Sequence, residues 1–418
     1  MAEIEPFRAL HYDPAVTGGL QNVVAPPYDV IDDEQRLALE ARSPYNVVRI
    51  DLPQGGEDRY QLAADQLRAW RAAGAVVEDE QPALWALVQD YTGPDGRPRT
   101  RRGYFARVRI EHYGAARIRP HERTHPGPKE DRLRLTRATQ ANLSPIFSLY
   151  SDPAGATERV MQQVLTAPAW AQTTDDDGTV NRLWRVADPD AVTTVQGALR
   201  DAELLIADGH HRYETARVYA DEIGGEGPHR YVLMCLVALQ DPGLTVFPTH
   251  RLVRGLDAGR QEALAAALKR DFWIEALSDT TALAPAAGET VRIGYIDSHS
   301  RKPFMLTLAD PAIADAALPA RAEPYRRLDT AVLEALILKG ALAMTDTDID
   351  ELHGLGYARD FEQALKLIET AAYDAAFFMA PTPIERVQAV ASAGESMPPK
   401  STYFFPKVPT GLLFNPLA

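Results

Sequence analysis

The chain has 418 residues, of which 45% are hydrophobic and 24% charged, a composition typical of a globular protein with two or three domains of roughly 150 residues each. Its net charge of −14 disfavours non-specific binding to nucleic acid or to an anionic membrane unless basic residues are segregated locally. Cys235 is the single cysteine, which excludes an intramolecular disulfide framework and a cysteine-based zinc site. The N-terminus has neither a basic nor an apolar leader segment, and no apolar run is long enough to span a membrane, so we expect a soluble, cytoplasmic protein.

The first quarter of the chain predicts short elements separated by turns. Pro26 to Val30 has the sequence P-P-Y-D-V, which is typical of a rigid extended turn that braces a loop. The acidic residues from Asp32 onward favour the first turn of a helix. Apolar patterning then predicts a strand over 46–52, a helix over about 58–73, and a hairpin of strands 84–91 and 100–111.

A basic stretch follows between Arg117 and Arg137. Its first half is a loop with His121, Glu122 and His125, and a loop that presents histidine beside a carboxylate is a common way to build an acid/base or metal-holding pair. Its second half predicts a helix from Lys129 onward. In an acidic protein the basic residues favour a pocket for a small anion, although a solvated helix face explains the charges of this helix equally well.

The most informative stretch runs from Glu203 to Ala216, E-L-L-I-A-D-G-H-H-R-Y-E-T-A. Leu204 to Ala207 form a continuous apolar run that predicts a buried strand, Asp208 ends it, and Gly209 permits a sharp turn. A helix is predicted from His210. The backbone N–H groups and the positive dipole end of that helix would form an anion site suited to phosphate. An ordinary Asp-Gly turn with a buried histidine is the alternative.

The remainder of the chain predicts a second region with mixed elements and a C-terminal segment, 394–418, that folds back into the core. Strands 231–239 and 244–253 are expected to form a hairpin, and the composition changes after Leu256. Beyond it the patterns predict helices 261–270, 329–342, 361–371 and 384–391, and strands 291–297, 303–308 and 373–379. No Walker A, G-x-G-x-x-G or G-x-S-x-G motif is present, which removes the commonest nucleotide-binding and hydrolase signatures.

Four segments together resemble one family. They are A-D-G-H-H-R-Y-E-T-A (207–216), H-E-R-T with K-E-D-R (121–132), P-P-Y-D-V (26–30) and M-P-P-K-S-T-Y-F-F-P-K (397–407). This set resembles the domain of unknown function 1015 family over nearly the whole chain. The D-G-H-H-R box is in turn similar to the phosphate-binding turn of the ParB/sulfiredoxin superfamily, and especially to its free L-serine kinases.

The resemblance implies a site and a reaction. Phosphates of ATP or ADP would lie on the backbone of Gly209, His210 and His211, with Arg212 as a countercharge, and His211 would also take part in catalysis. Asp208 would hold Mg²⁺ or help to take the proton of serine. The same resemblance makes Glu122 the catalytic base and adds His121 to the nucleotide site, and Lys400 is expected to meet an anion.

The expected fold is therefore α+β, with a ParB/sulfiredoxin-like nucleotide-binding core in residues 1–256 and an additional C-terminal α/β region in 257–418. The expected function is phosphoryl transfer from ATP or ADP to free L-serine or a similar hydroxy amino acid. A nucleotide-gated binding module and a phosphohydrolase or nuclease that uses the same site are the alternatives. We expect no nucleic-acid partner, because no helix-turn-helix or basic tail is evident; the C-terminal region could support a homodimer.

Overall fold

The structure is a computed structural model that describes residues 3–93, 96–112, 117–120 and 127–418. The fold is mixed α+β, as predicted. The described residues form two compact units, the first made of 3–120, 127–245 and 406–418, and the second of 246–405. The change of unit therefore falls eleven residues before the domain boundary predicted at 256, since 256 − 245 = 11. The ParB/sulfiredoxin-like character of the core stays a prediction.

The first unit carries twelve strands before its last segment, counted among the described residues. They are β1 (Ile4–Glu5), β2 (Leu10–Tyr12), β3 (Val76–Glu78), β4 (Leu84–Thr92), β5 (Pro98–Arg109), β6 (Ile118–Pro120), β7 (Ala141–Asn142), β8 (Ile146–Tyr150), β9 (Ala171–Thr174), β10 (Val180–Val186), β11 (Leu204–Asp208) and β12 (Tyr231–Ala238). The helices are α1 (Pro14–Thr17), α2 (Asp33–Arg42), α3 (Val48–Asp51), α4 (Arg59–Ala72), α5 (Gly127–Thr139), α6 (Ala156–Val164), α7 (Pro189–Leu199) and α8 (His210–Ile223).

A mixed sheet forms the centre of this unit. Its strand order is β6-β11-β8-β12-β5-β4-β10-β9, with β1 pairing on β5. Strand β11 is parallel to β6 and antiparallel to β8, while β8 and β12 are parallel. Apolar side chains of the central strands pack with α6, α7 and α8 into one core. The buried strand β11, next to the edge strand β6, thereby positions Asp208 and the start of α8.

The second unit is built on a six-stranded antiparallel sheet in the order β15-β17-β16-β19-β14-β18. The strands of this region are β13 (Thr245–Phe247), β14 (His250–Val253), β15 (Phe272–Ala276), β16 (Arg292–Asp297), β17 (Phe304–Leu308), β18 (Leu355–Ala358), β19 (Ala375–Phe378) and β20 (Tyr403–Phe405). Its helices are α9 (Ala258–Asp271), α10 (Pro311–Ala317), α11 (Glu323–Arg326), α12 (Asp329–Val332), which continues as a π-helical stretch over Leu333–Ala341, α13 (Asp346–Asp350), α14 (Phe361–Glu369) and α15 (Ile384–Ser392).

The strand predicted over 46–52 is wrong, because this segment forms the short helix α3. The Asn46 side chain accepts a hydrogen bond from the Val48 backbone N–H at 3.1 Å, and the Arg49 N–H donates to the Asn46 carbonyl at 3.1 Å. Val48 and Ile50 are both buried, and a short, fully buried apolar run has the same appearance in a strand and in a helix.

Within the described ranges, no helix combines the length and the apolar character needed to cross a bilayer.

Asp175, between β9 and β10, predicts a pH dependence of stability. Burial raises the pKa of its carboxyl group to about 7, although the carboxyl accepts a hydrogen bond from Asn181 Nδ2 at 2.9 Å. A raised pKa gives stability that is present below the unfolded pKa and is lost as the pH rises through the folded pKa. We therefore expect the free energy of unfolding of Asp175→Asn, relative to that of wild type, to be roughly 1–3 kcal/mol higher at pH 8 than at pH 5. Urea unfolding at both pH values measures it, and an unchanged difference would contradict it.

Candidate functional site

The centre of the site is the turn between β11 and α8. Ile206 is fully buried and Ala207 nearly so, so the strand is fixed in the core up to Asp208. Gly209 then adopts the left-handed conformation, with φ 92° and ψ 29°, and α8 starts at His210. Gly209, the N-cap residue of α8, has no side chain to cap the helix, and no acidic residue lies in the first turn. This fourteen-residue helix therefore begins at a glycine, and its first turn carries no acidic residue of its own.

Gly209 is required at the turn for two reasons. A positive φ is unfavourable for a residue with a Cβ atom. A Cβ atom at this position would also lie 2.9 Å from Arg212 Nε and 3.0 Å from Arg212 Cζ. The guanidinium of Arg212 therefore folds back over the turn; its role beside an anion stays a prediction.

Asp208 is held between two cationic side chains. Arg212 Nη2 donates to Asp208 Oδ2 at 2.5 Å, and Lys407 Nζ donates to Asp208 Oδ1. All three side chains are at most 14% exposed. Burial of Asp208 opposes its ionisation, but Lys407 and Arg212 outweigh this effect and hold the pKa of the carboxyl well below its usual range. The turn thus combines a helix start at a glycine with an ion triad.

Lys407 is the residue of this triad that sequence analysis missed. The segment that carries it is tied to the first unit by buried polar side chains: Arg101 Nη2 donates to the Pro406 carbonyl at 2.5 Å, and Gln89 Nε2 to the Lys407 carbonyl at 3.1 Å. Its sequence, F-F-P-K-V-P, did contain a signal. A lysine within an apolar segment requires a partner when the segment is buried.

The other predicted site residues are placed differently. Lys400 lies in the second unit, has φ 57° and is exposed. Its contact with an anion stays a prediction. His121 and Glu122 lie outside the described residues, so their roles also stay predictions. His210 and His211 begin α8, directly after the turn, as expected from the sequence.

The single anion pocket predicted for Arg117 to Arg137 is wrong for the described part of this stretch. Lys129 and Arg137 bind the α8 residues Glu214 and Glu222 at 2.6 Å each. The same pattern holds elsewhere: Arg117 pairs with Asp201, Arg119 with Glu203, Arg132 with Asp51 and Asp131, and Arg134 with Glu57. These ion pairs fasten α5 and the segment around β6 to their neighbours, because each basic side chain reaches a carboxylate that is distant in sequence.

The P-P-Y-D-V segment comes to the same side of the first unit as α5 and α8. The guanidinium carbon of Arg132 lies 4.4 Å from the centre of the Tyr28 ring, and Tyr28, Arg132 and Arg212 line one small cavity. Burial raises the pKa of the Tyr28 hydroxyl to about 12, although Arg212 and Arg132 act in the opposite direction. Tyr28 is therefore a neutral hydroxyl in the wall of this cavity.

Two chemistries have little support from the described residues. Cys235 is buried in β12, where burial raises the pKa of its thiol to about 12, so it lacks the thiolate that redox chemistry needs. No group of three His, Cys, Asp or Glu side chains in the described ranges is arranged to hold a metal ion. Both oxygens of Asp208 already accept hydrogen bonds from cations, so this side chain as placed does not fit its predicted role as a Mg²⁺ ligand.

Comparison with known proteins gave a family and several distant structures. The model of the family described as protein of unknown function, DUF1015, matches residues 4–331. No curated protein matches the chain. A conserved hypothetical protein from Pyrococcus furiosus is 16% identical, with a TM-score of 0.37 over 74% of this chain and 95% of that chain. A mutant free serine kinase in complex with ADP is 13% identical, with a TM-score of 0.39 over 74% and 92% of the two chains.

A third structure, SbnI with a C-terminal truncation from Staphylococcus aureus, is 11% identical, with a TM-score of 0.38 over 73% of this chain and 85% of that chain. The family model covers far more than half of the 418 residues, from the first strand of the first unit to α12 of the second. The match contains the P-P-Y-D-V, K-E-D-R and D-G-H-H-R segments whose side chains meet in the first unit. The chain therefore belongs to the DUF1015 family of proteins of unknown function.

Proposed function

We propose that this protein is a small-molecule kinase that transfers a phosphoryl group from ATP or ADP to the hydroxyl group of free L-serine, giving O-phosphoserine. The observation that carries the proposal is the turn at Gly209, where α8 begins, with Arg212 and Lys407 beside it. Backbone N–H groups and two cations at one point suit a polyphosphate chain. The similarity of the D-G-H-H-R box to the free L-serine kinases supplies the donor and the acceptor.

In this proposal the nucleotide phosphates bind the backbone N–H groups of Gly209, His210 and His211. Arg212 and Lys407 neutralise the charge that spreads over the phosphoryl oxygens during transfer. Phosphoryl transfer requires little covalent chemistry from the protein and depends on positioning and on charge stabilisation. Asp208 then acts as an anchor that fixes both cations at the turn, because its two oxygens bind one cation each.

Mg²⁺ enters the proposal as a companion of the nucleotide. Magnesium ions in nucleotide sites are commonly bound by substrate phosphates together with one or two carboxylates. The described carboxylate nearest to this role, Asp208, is occupied on both oxygens. We therefore assign no protein ligand to the ion and derive no step of the transfer from it.

The decisive experiment is incubation of the protein with ATP or ADP, Mg²⁺ and a panel of free amino acids, followed by mass spectrometry of the products. Formation of O-phosphoserine is the expected result. Release of inorganic phosphate at one rate with and without amino acids would indicate a phosphohydrolase instead. Binding of nucleotide without any turnover would indicate a nucleotide-gated module.

Arg212→Ala is expected to weaken nucleotide binding by roughly 10- to 150-fold, the equivalent of about 1.5–3 kcal/mol for a hydrogen bond to a charged group. Arg137→Ala is a matched control, because Arg137 pairs with the exposed Glu222 on α8 and lies away from the turn. Exposed ion pairs contribute little to stability or binding. Isothermal titration calorimetry measures both variants, and equal affinities would contradict an anion site at this turn.

A further inference from the structure

A small cavity of about 40 Å³ lies beside the turn in the first unit. Segments that are far apart in sequence meet around it, and the side chains that matter are Tyr28, Asp51, Arg132, Ser144 and Arg212. A cavity of this size has room for a few non-hydrogen atoms. Its lining includes two guanidinium groups, a carboxylate, an amide and four hydroxyl-bearing residues, so it suits the polar end of a small molecule.

Arg212 connects this cavity to the proposed phosphate site. Its Nη2 holds Asp208, the last residue of β11, while its Nη1 donates to Ser144 Oγ at 2.7 Å. Ser144 and Arg212 both line the cavity. A single planar guanidinium therefore borders both places. A molecule in the cavity would lie next to a phosphoryl group bound at the turn.

Asp51 is the carboxylate of this cavity. It is the last residue of α3 and is 4% exposed. Arg132 Nη1 donates to the Asp51 carbonyl at 2.6 Å and to Asp51 Oδ1 at 3.2 Å. Among the described residues, the hydrogen bonds of the Asp51 carboxylate use Oδ1 alone. Oδ2 is not one of the fully buried side-chain atoms that lack a partner, so on the cavity side it stays accessible to a ligand.

We propose that Asp51 is the general base of the reaction and that the cavity receives the hydroxyl-bearing end of the acceptor, an inference that rests on the proposed function. The acceptor oxygen forms a bond to the transferred phosphorus as the bond from phosphorus to the leaving nucleotide oxygen breaks. The electron pair of the broken bond stays on the nucleotide. The hydroxyl proton passes to Asp51 Oδ2 and then to solvent.

The electrostatics of Asp51 agree with this role. Burial raises the pKa of Asp51 above its usual range, even though the cations Arg132 and Arg212 act to lower it; Asp131 and Asp29 add a smaller raising effect. A general base works best when its pKa lies towards the working pH.

Asp208 has the opposite properties. Lys407 and Arg212 hold its pKa below the usual range and bind both of its oxygens. A carboxylate so placed accepts a further proton poorly. The two carboxylates therefore separate into an anchor, Asp208, and a base, Asp51.

The test is Asp51→Asn, which keeps an oxygen to accept from Arg132. With L-serine as acceptor we expect kcat to fall by roughly 10²- to 10⁴-fold, while the Kd for nucleotide changes less than about threefold. Asp131→Asn is the matched control, because Asp131 binds Arg132 Nη2 at 2.6 Å but is 37% exposed and does not line the cavity. We expect its kcat to stay near that of wild type.

The outcomes separate this inference from the proposed function. A wild-type protein that phosphorylates no acceptor refutes the proposed function, and the base assignment with it. An active wild type whose Asp51→Asn variant keeps its kcat refutes the base alone, and so does an equal loss in both variants. If circular dichroism shows that Asp51→Asn is unfolded, Asp51→Glu decides. The Asp51→Glu variant keeps the negative charge that Arg132 binds, but its longer side chain moves the carboxylate away from the position of the proposed base. An unchanged kcat in this variant would overturn the proposal.

Discussion

Lys407→Met is expected to lower the rate of phosphoserine formation by roughly 10²- to 10³-fold, the range seen when a preorganised donor to a developing negative charge is removed. The Lys407 ammonium group lies against Asp208 at the start of α8 and is 14% exposed, so water is a poor substitute for it. Methionine keeps the apolar stem of the side chain and removes the charge. Steady-state kinetics with mass-spectrometric detection of O-phosphoserine measures the loss.

Lys400→Met is the matched control for this prediction. Lys400 is seven positions earlier in the chain, since 407 − 400 = 7, and belongs to the second unit, where it is exposed. If the predicted anion contact of Lys400 takes part in the reaction, Lys400→Met loses activity as well; activity near that of wild type would remove Lys400 from the site. A large loss in the rate of phosphoserine formation in Lys400→Met, with none in Lys407→Met, would contradict the role proposed for Lys407. It would instead support Lys400, the lysine predicted from the sequence.

Asp208→Asn is expected to lower the free energy of unfolding by about 3–5 kcal/mol, because removal of one partner leaves a buried charge without compensation. Here two cations, Lys407 and Arg212, lose the same carboxylate. Chemical denaturation at pH 7 measures the difference from wild type. In the double variant Asp208→Asn/Lys407→Met, the loss in free energy of unfolding should be smaller than the sum of the losses in the two single variants. The reason is that Lys407→Met removes one of the two cations that Asp208→Asn leaves without a carboxylate. Full additivity would contradict the triad.

The sign of the pH dependence follows from the lowered pKa of Asp208. A lowered pKa gives stability that is present above the unfolded pKa, near 3.9 for aspartate, and is lost as the pH falls through the folded pKa. The difference in unfolding free energy between wild type and Asp208→Asn should therefore be constant near neutrality and should shrink below about pH 4. A difference that grew on acidification would be incompatible with an ionised, paired Asp208.

The sequence by itself determined the local structures around the turn. The apolar run before Asp208, a glycine able to adopt positive φ and a helical pattern after it predict a strand, a turn and a helix, and β11, Gly209 and α8 follow that order. These features depend on backbone preferences within a few residues. The hairpin of β4 and β5 and most of the longer helices were predicted for the same reason.

Only the tertiary structure decided which charged groups belong to the site. Lys407 reaches Asp208 across 199 positions of sequence, and the basic residues of α5, which resembled an anion pocket, are instead bound to acidic partners of α8 and the N-terminal region. Asp51 was hidden in an apolar run that predicted a strand, and it lines the cavity because α3 forms there. The partner of a side chain depends on packing across the whole fold, and local sequence patterns carry no record of it.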